Sequence, residues 1–128
     1  MREIYIFVGE NRSKTAKENG YSWQECQRTG KPVLSAIRLF DALSKNGLDP
    51  RAQVIFNLWN DDGSLNRFIP EILMELAEDG ETIIAMGQKV QAELQRLGIE
   101  HKPLIHPAAR GKIASKVLYR KHFREVLG

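Results

Sequence analysis

Four polar residues stand in or just beyond stretches that otherwise read as buried strand. Glu10 and Asn11 follow the run Ile4-Tyr5-Ile6-Phe7-Val8-Gly9. Asn57 lies inside Val54-Ile55-Phe56-Asn57-Leu58-Trp59, and His106 follows Pro103-Leu104-Ile105. An amide in an apolar run costs desolvation energy unless both of its ends find partners. Asn57 therefore either satisfies a neighbouring loop or pairs with an amide-like edge, such as O4 and N3–H of a pyrimidine, because an amide offers donor and acceptor in one plane. His106 precedes Pro107, which holds its backbone extended. It either packs at a strand end or donates to negative charge on a carbonyl oxygen. Glu10 and Asn11 either orient a water molecule or serve the chemistry of the turn.

Other chemistries fail on spacing. His101, His106 and His122 show no metal-ligand pairing and neither HxxxH nor HExxH occurs, so no metal and no cofactor is expected. Gly9-Glu10-Asn11-Arg12-Ser13-Lys14-Thr15 lacks the Gly-Lys-Ser/Thr of a phosphate loop, and a GxGxxG fingerprint is absent. The single cysteine, Cys26, excludes an internal disulfide and a cysteine-based zinc site and reads as a bystander.

The elements that must hold these residues follow from patterning. The first apolar run and Thr82-Ile83-Ile84-Ala85-Met86 are continuous rather than alternating, as in strands covered on both faces. Helical patterns fall between the four runs. Residues 32–46 open with Pro32 and stop at Asn46-Gly47, with Ile37, Phe40 and Leu43 expected inward and Arg38, Asp41 and Lys45 wet. Residues 70–79 begin at Pro70 and end before Gly80, with Ser64 expected to open an extra turn ahead of them. Residues 88–97 place Val90, Leu94 and Leu97 on one stripe, and a last helix spans about 112–127. The alternation predicts one α/β domain over 1–128 with right-handed crossovers and helices on both faces of a four-stranded parallel sheet, a three-layer α/β/α sandwich; the expected strand order is 2-1-3-4. Its strand ends share one edge, which gathers Glu10, Asn11, Asn57 and His106 in a single crevice. The 22 residues between Gly9 and Pro32 read as a long connection with a task. Its Tyr21 and Trp23 either pin it to the body or form a stacking surface for a base.

The chain's 128 residues suit one core, and 42% hydrophobic with 27% charged residues exclude a disordered chain. No apolar run approaches the ~18 residues of a membrane span, and residues 1–8 are too short and too acidic for a secretory signal. A cytoplasmic, monomeric protein is the expectation. Residues 101–128 carry seven Lys or Arg against one acid, Glu125, a net +6 that leaves −3 for residues 1–100. Lys112, Lys116, Arg120 and Arg124 recur every four residues, either as a solvated helix face or as a stripe for a phosphate-rich partner.

Taken in order, these segments resemble the uracil-DNA glycosylase superfamily across nearly the whole chain. Val8-Gly9-Glu10-Asn11-Arg12-Ser13 stands where that family has a water-activating motif such as Gly-Gln-Asp-Pro-Tyr or Gly-Ile-Asn-Pro-Gly. Val54-Ile55-Phe56-Asn57 corresponds to a motif of the form Leu-Leu-Leu-Asn, whose asparagine reads uracil. His106-Pro107-Ala108-Ala109-Arg110-Gly111-Lys112 corresponds to His-Pro-Ser and the DNA-wedging loop after it, and Ile83-Ile84-Ala85-Met86-Gly87-Gln88 to the strand and helix before that histidine. Arg12 replaces the family's proline, which predicts a less rigid first loop, and Ala108 replaces its serine.

The resemblance implies a DNA partner, specifically uracil-containing DNA, and hydrolysis of the N-glycosidic bond of a flipped-out base. Asn57 would read the base, and Phe56, Trp23 or Tyr21 would supply an aromatic platform. His106 would stabilise charge on O2, and Asn11 would position water with Glu10 as the nearby carboxylate. Arg110 and Lys112 would hold phosphates, with Lys116 and Arg120 of the last helix extending the basic surface. A non-catalytic DNA- or nucleotide-binding module of the same fold is one rival, favoured by Arg12 and Ala108. A nucleoside enzyme on a flavodoxin-like sheet and a pure interaction protein are others.

Overall fold

The computed structural model describes residues 3–30 and 33–128. Four short strands, β1 (Ile6–Gly9), β2 (Val54–Asn57), β3 (Ile83–Met86) and β4 (Lys102–Leu104), form one all-parallel sheet in the order 2-1-3-4. β1, β2 and β3 are shorter than their apolar runs, and β4 starts one residue before its run, at Lys102. At β1 the reason is visible: Tyr5 N–H donates to Gln53 Oε1 at 2.8 Å instead of entering the ladder, while Gln53 Nε2 donates to the carbonyls of Glu3 and Asp49.

Along the strands, side chains alternate between two cores. Ile6, Val8, Ile83 and Ala85 face α4 (Ile69–Glu78) and α5 (Gln88–Arg96), which bury Leu73, Val90 and Leu94. Phe7, Ile55, Ile84 and Met86 face α3 (Leu34–Lys45) and α6 (Lys116–Leu127), which bury Leu39, Leu43, Tyr119 and Phe123. The sheet is therefore the middle of three layers. Among the described residues no helix is long and apolar enough to cross a membrane.

The long first connection is not structureless. It folds into α1 (Lys14–Asn19) and α2 (Trp23–Thr29), capped by Ser13, which accepts from Ala16 N–H, and Ser22, which accepts from Glu25 N–H. Ser22 and Glu25 have the Ser-x-x-Glu spacing of a capping box, a helix-start signal that hydrophobic periodicity alone passes over. The helix α2 also closes the free edge of β2: Gln24 Nε2 donates to the Ile55 carbonyl at 3.1 Å, and Gln27 Nε2 to that of Gln53 at 3.0 Å. An edge strand with unpaired carbonyls invites pairing with another chain, and these two glutamines remove that option.

Three helix expectations are corrected. In α3 the buried face is Ala36, Leu39, Ala42 and Leu43, whereas Ile37 is 42% exposed and Phe40 is half-buried. That face turns toward the sheet because Arg38 and Asp41, expected wet, lie along the seam with α6 and the loop after β4. Ser64 does not open a helical turn. Its carbonyl accepts from Asn60 N–H at 2.8 Å, closing a tight turn at 60–64. The last helix breaks at Ser115, whose extended backbone (ψ 129°) separates a 3-10 turn at Lys112–Ala114 from α6. Lys112 therefore stands off the helix, and the four-residue stripe does not run unbroken. Pro32 lies outside the described residues.

Candidate functional site

In the order 2-1-3-4 the chain leaves β1 toward one side of the sheet and β3 toward the other. A crevice opens at their carboxyl ends, where open α/β sheets bind ligands. A cleft of about 520 Å³ lies there, with Glu10, Asn11, Trp23, Asn57, His106 and Ala108 among its walls. The tertiary structure thus brings together the residues expected at the strand ends. A volume of this size suits a small ligand.

Asn57 is the last residue of β2, and its Oδ1 accepts a hydrogen bond from Trp23 Nε1 at 2.9 Å. An indole N–H only donates, so the oxygen of the amide must face it. Gly9, opposite Asn57 in the ladder, leaves room for this pair: a Cβ there would come within 3.3 Å of Asn57 Oδ1 and of Met86 Cε. Gly9→Ala is accordingly expected to cost about 1–3 kcal/mol by overpacking and to displace the Asn57 amide. Thermal unfolding measures the first effect and side-chain amide resonances the second; an unmoved Asn57 signal would contradict the close approach.

His106 sits at the far side of the cleft. Its Nδ1 accepts from the Ala108 N–H at 3.0 Å, which leaves the proton of the neutral ring on Nε2. Burial pushes its pKa below the ordinary value of 6.5, against a smaller upward pull from the Glu10 carboxylate. The ring packs on Gly87, whose φ of 95° admits few other residues and whose position leaves His106 Cβ and Cδ2 at 3.5 Å from where a Cβ would stand.

The backbone leading into His106 is held from α6 instead of by a further strand. Ile105 N–H donates to His122 Nε2 at 3.0 Å, and Tyr119 O–H donates to the Ile105 carbonyl at 2.7 Å. On the other side, Arg38 of α3 donates to the Ala109 carbonyl at 3.1 Å, with a longer contact of 3.4 Å to that of Pro107. Arg38, Tyr119 and His122 thus position the site, and sequence reasoning missed all three. Arg38 enters the sequence reading only as a wet-face residue, and His122 only as a histidine without metal-ligand spacing.

The first loop is tied down, contrary to the expectation from the missing proline. Arg12 donates through Nε to one carboxylate oxygen of Asp61 at 3.1 Å and through a terminal nitrogen to the other, and reaches the Tyr21 carbonyl at 3.4 Å. Lys17 Nζ adds a bond to the Asp61 carbonyl at 2.9 Å. Asn11 Nδ2 donates to the Asn60 carbonyl at 3.4 Å. A charged clamp onto the 60–64 turn does the work of a rigid residue.

Three expected residues are not brought to the cleft. Phe56 alternates with Asn57 along β2 and packs into the opposite core, beside the α4 layer. Tyr21 packs on Ala16, Cys26, Val33 and Ala36, pinning the connection to the body. Arg120 forms a bidentate pair with Asp41 at 2.8 and 2.7 Å, which holds the Asp41 carboxyl below its ordinary range. Arg120 is thereby an α3–α6 link and not a free cation for phosphate. Arg110, Lys112 and Lys116 remain exposed. No group of three or more His, Cys, Asp or Glu side chains among the described residues is placed to hold a metal ion.

Fold and site together define an open-sheet α/β protein with a polar cleft at its switch point. No family model, curated protein or solved structure matches the chain.

Proposed function

We propose that the cleft binds a flipped-out uracil and that the protein hydrolyses its N-glycosidic bond in DNA. The observation that carries this reading is the pairing of the Asn57 amide with a neutral His106 held as an Nε2–H donor in the cleft that also carries Glu10. Asn57 contacts the base edge. His106 Nε2–H donates to O2 as negative charge gathers there, the kind of preorganised donor that stabilises a developing anion. Water adds its oxygen to C1′ of the deoxyribose while the base departs with the bonding electrons. An asparagine orients water but cannot take its proton, so Glu10 is the base and Asn11 the orienting group. Arg110, Lys112 and Lys116 face the phosphates.

The test is base release from uracil-containing single- and double-stranded oligonucleotides, read as alkali-sensitive breaks, beside Asn57→Ala and a salt titration of binding. Release that disappears in the variant supports the reading. Salt-sensitive binding without release would make the protein a non-catalytic DNA module, a reading that Ala108 favours by removing a hydroxyl from the loop after His106. Neither release nor binding would overturn both.

A further inference from the structure

We propose that Trp23 sets the sense in which Asn57 reads a base, so that the cleft takes a pyrimidine carrying a carbonyl and rejects one carrying an amino group at the same position. The inference rests on the cleft being a base site and goes further, because it assigns the selectivity to a residue outside the strand motifs.

The indole Nε1–H of Trp23 lies 2.9 Å from Asn57 Oδ1 and can only donate. Rotating the amide by half a turn would set its NH2 against the indole N–H, two donors facing each other, and would leave both without an acceptor. The amide is therefore locked with its oxygen toward Trp23. Asn57 makes no other side-chain hydrogen bond among the described residues, and none of their buried side-chain nitrogens lacks a partner, so the NH2 is accessible on a residue that lines the cleft. An open NH2 needs an acceptor. The O4 carbonyl of uracil is one; the N4 amine of cytosine brings a donor to the same place.

Trp23 is itself held firmly. It is the first residue of α2, just after the Ser22 cap, and its ring packs edge-on against Phe40, with centroids 6.2 Å apart at 63°. Position 9 lies beside it, where a Cβ would stand in ordinary contact, 3.7 Å from the indole nitrogen. Trp23 acts through Asn57 and is a positioning residue.

The experiment titrates the full chain with 2′-deoxyuridine and, separately, 2′-deoxycytidine, following the Asn57 side-chain NH2 and Trp23 indole resonances. Trp23→Phe removes the donor. A benzothienylalanine at position 23 removes it while keeping the two-ring shape, which guards against a variant that merely unfolds. The wild-type chain is expected to prefer deoxyuridine. The preference should fall about tenfold in both variants, roughly the 1.4 kcal/mol worth of one hydrogen bond, with deoxycytidine affinity rising as deoxyuridine affinity drops. A preference unchanged in the sulfur analogue, or both affinities falling in parallel, overturns the lock. Wild-type chain that binds the two nucleosides alike overturns it too, while leaving the cleft a base site. Binding of neither nucleoside overturns the lock together with the base-site reading.

Discussion

Truncating Phe123 to alanine is expected to lower the unfolding free energy by about 3–5 kcal/mol, the usual cost of a cavity left by a large aromatic. Phe123 is fully buried and stacks on Phe7, with ring centroids 6.0 Å apart and planes inclined by 16°. It joins α6 to the central strand β1, and neither neighbour is free to collapse into the space. Set against a total of roughly 5–15 kcal/mol for a domain, the loss is about a fifth or more of the stability. Urea unfolding should show a lower midpoint with an unchanged slope. The same variant loosens the seat of Tyr119 and His122, which hold Ile105, so ligand binding should weaken even where the chain is still folded. Val117→Ala, on the exposed side of the same helix, should stay within about 0.5 kcal/mol of the parent. A Phe123→Ala loss no larger than that of Val117→Ala would mean that α6 is not anchored through this ring.

The second large effect falls on His106. If the cleft hydrolyses a glycosidic bond, His106→Ala should slow base release by about 10²–10³, the usual consequence of deleting one preorganised donor to a developing oxyanion. A loss below tenfold would remove His106 from that role. The pH dependence has a definite sign. Burial holds the pKa of both His106 and His122 below the ordinary 6.5, so between the folded and unfolded values the unfolded chain binds more protons. Stability therefore rises with pH across that window. The contribution is complete above pH ~6.5 and is lost as the pH falls toward the depressed folded values. Protonating His106 Nδ1 breaks its bond from Ala108 N–H, and protonating His122 Nε2 breaks the one from Ile105 N–H. Acid thus disturbs the site from both sides. Thermal unfolding from pH 5 to 8 should show the trend, flattened in a His106→Gln, His122→Gln double variant. A melting temperature that rises on acidification through this range would contradict the neutral assignment.

Local patterning carried the fold a long way. Continuous apolar runs at residues 4–8 and 82–86, with helical stripes between the runs, lead to the parallel sheet that the structure contains. The capping box at Ser22 and Glu25 was equally legible and would have turned the long first connection into helix. Alternation along β2 could likewise have separated Phe56 from Asn57, since neighbouring residues on a strand face opposite sides. The face of α3 was less accessible. Ile37 and Leu39 are equally apolar, and which of them is buried depends on how the helix rolls against α6.

The sequence by itself determined which residue types would meet at the carboxyl edge of the sheet, because strand and helix periodicity are local and parallel crossovers leave few topologies. Glu10, Asn11, Asn57 and His106 are adjacent to strand ends in any such fold. Only the tertiary structure decided what those residues present to a ligand. The Asn57 oxygen is taken by an indole 34 positions away, Arg12 is bound to Asp61, and Arg120 is withdrawn from the basic surface by Asp41, 79 positions distant. Hydrogen bonds act over about 3 Å and demand a particular direction. Partner choice among distant side chains is therefore set by how the layers pack, a quantity that no spacing along the chain encodes.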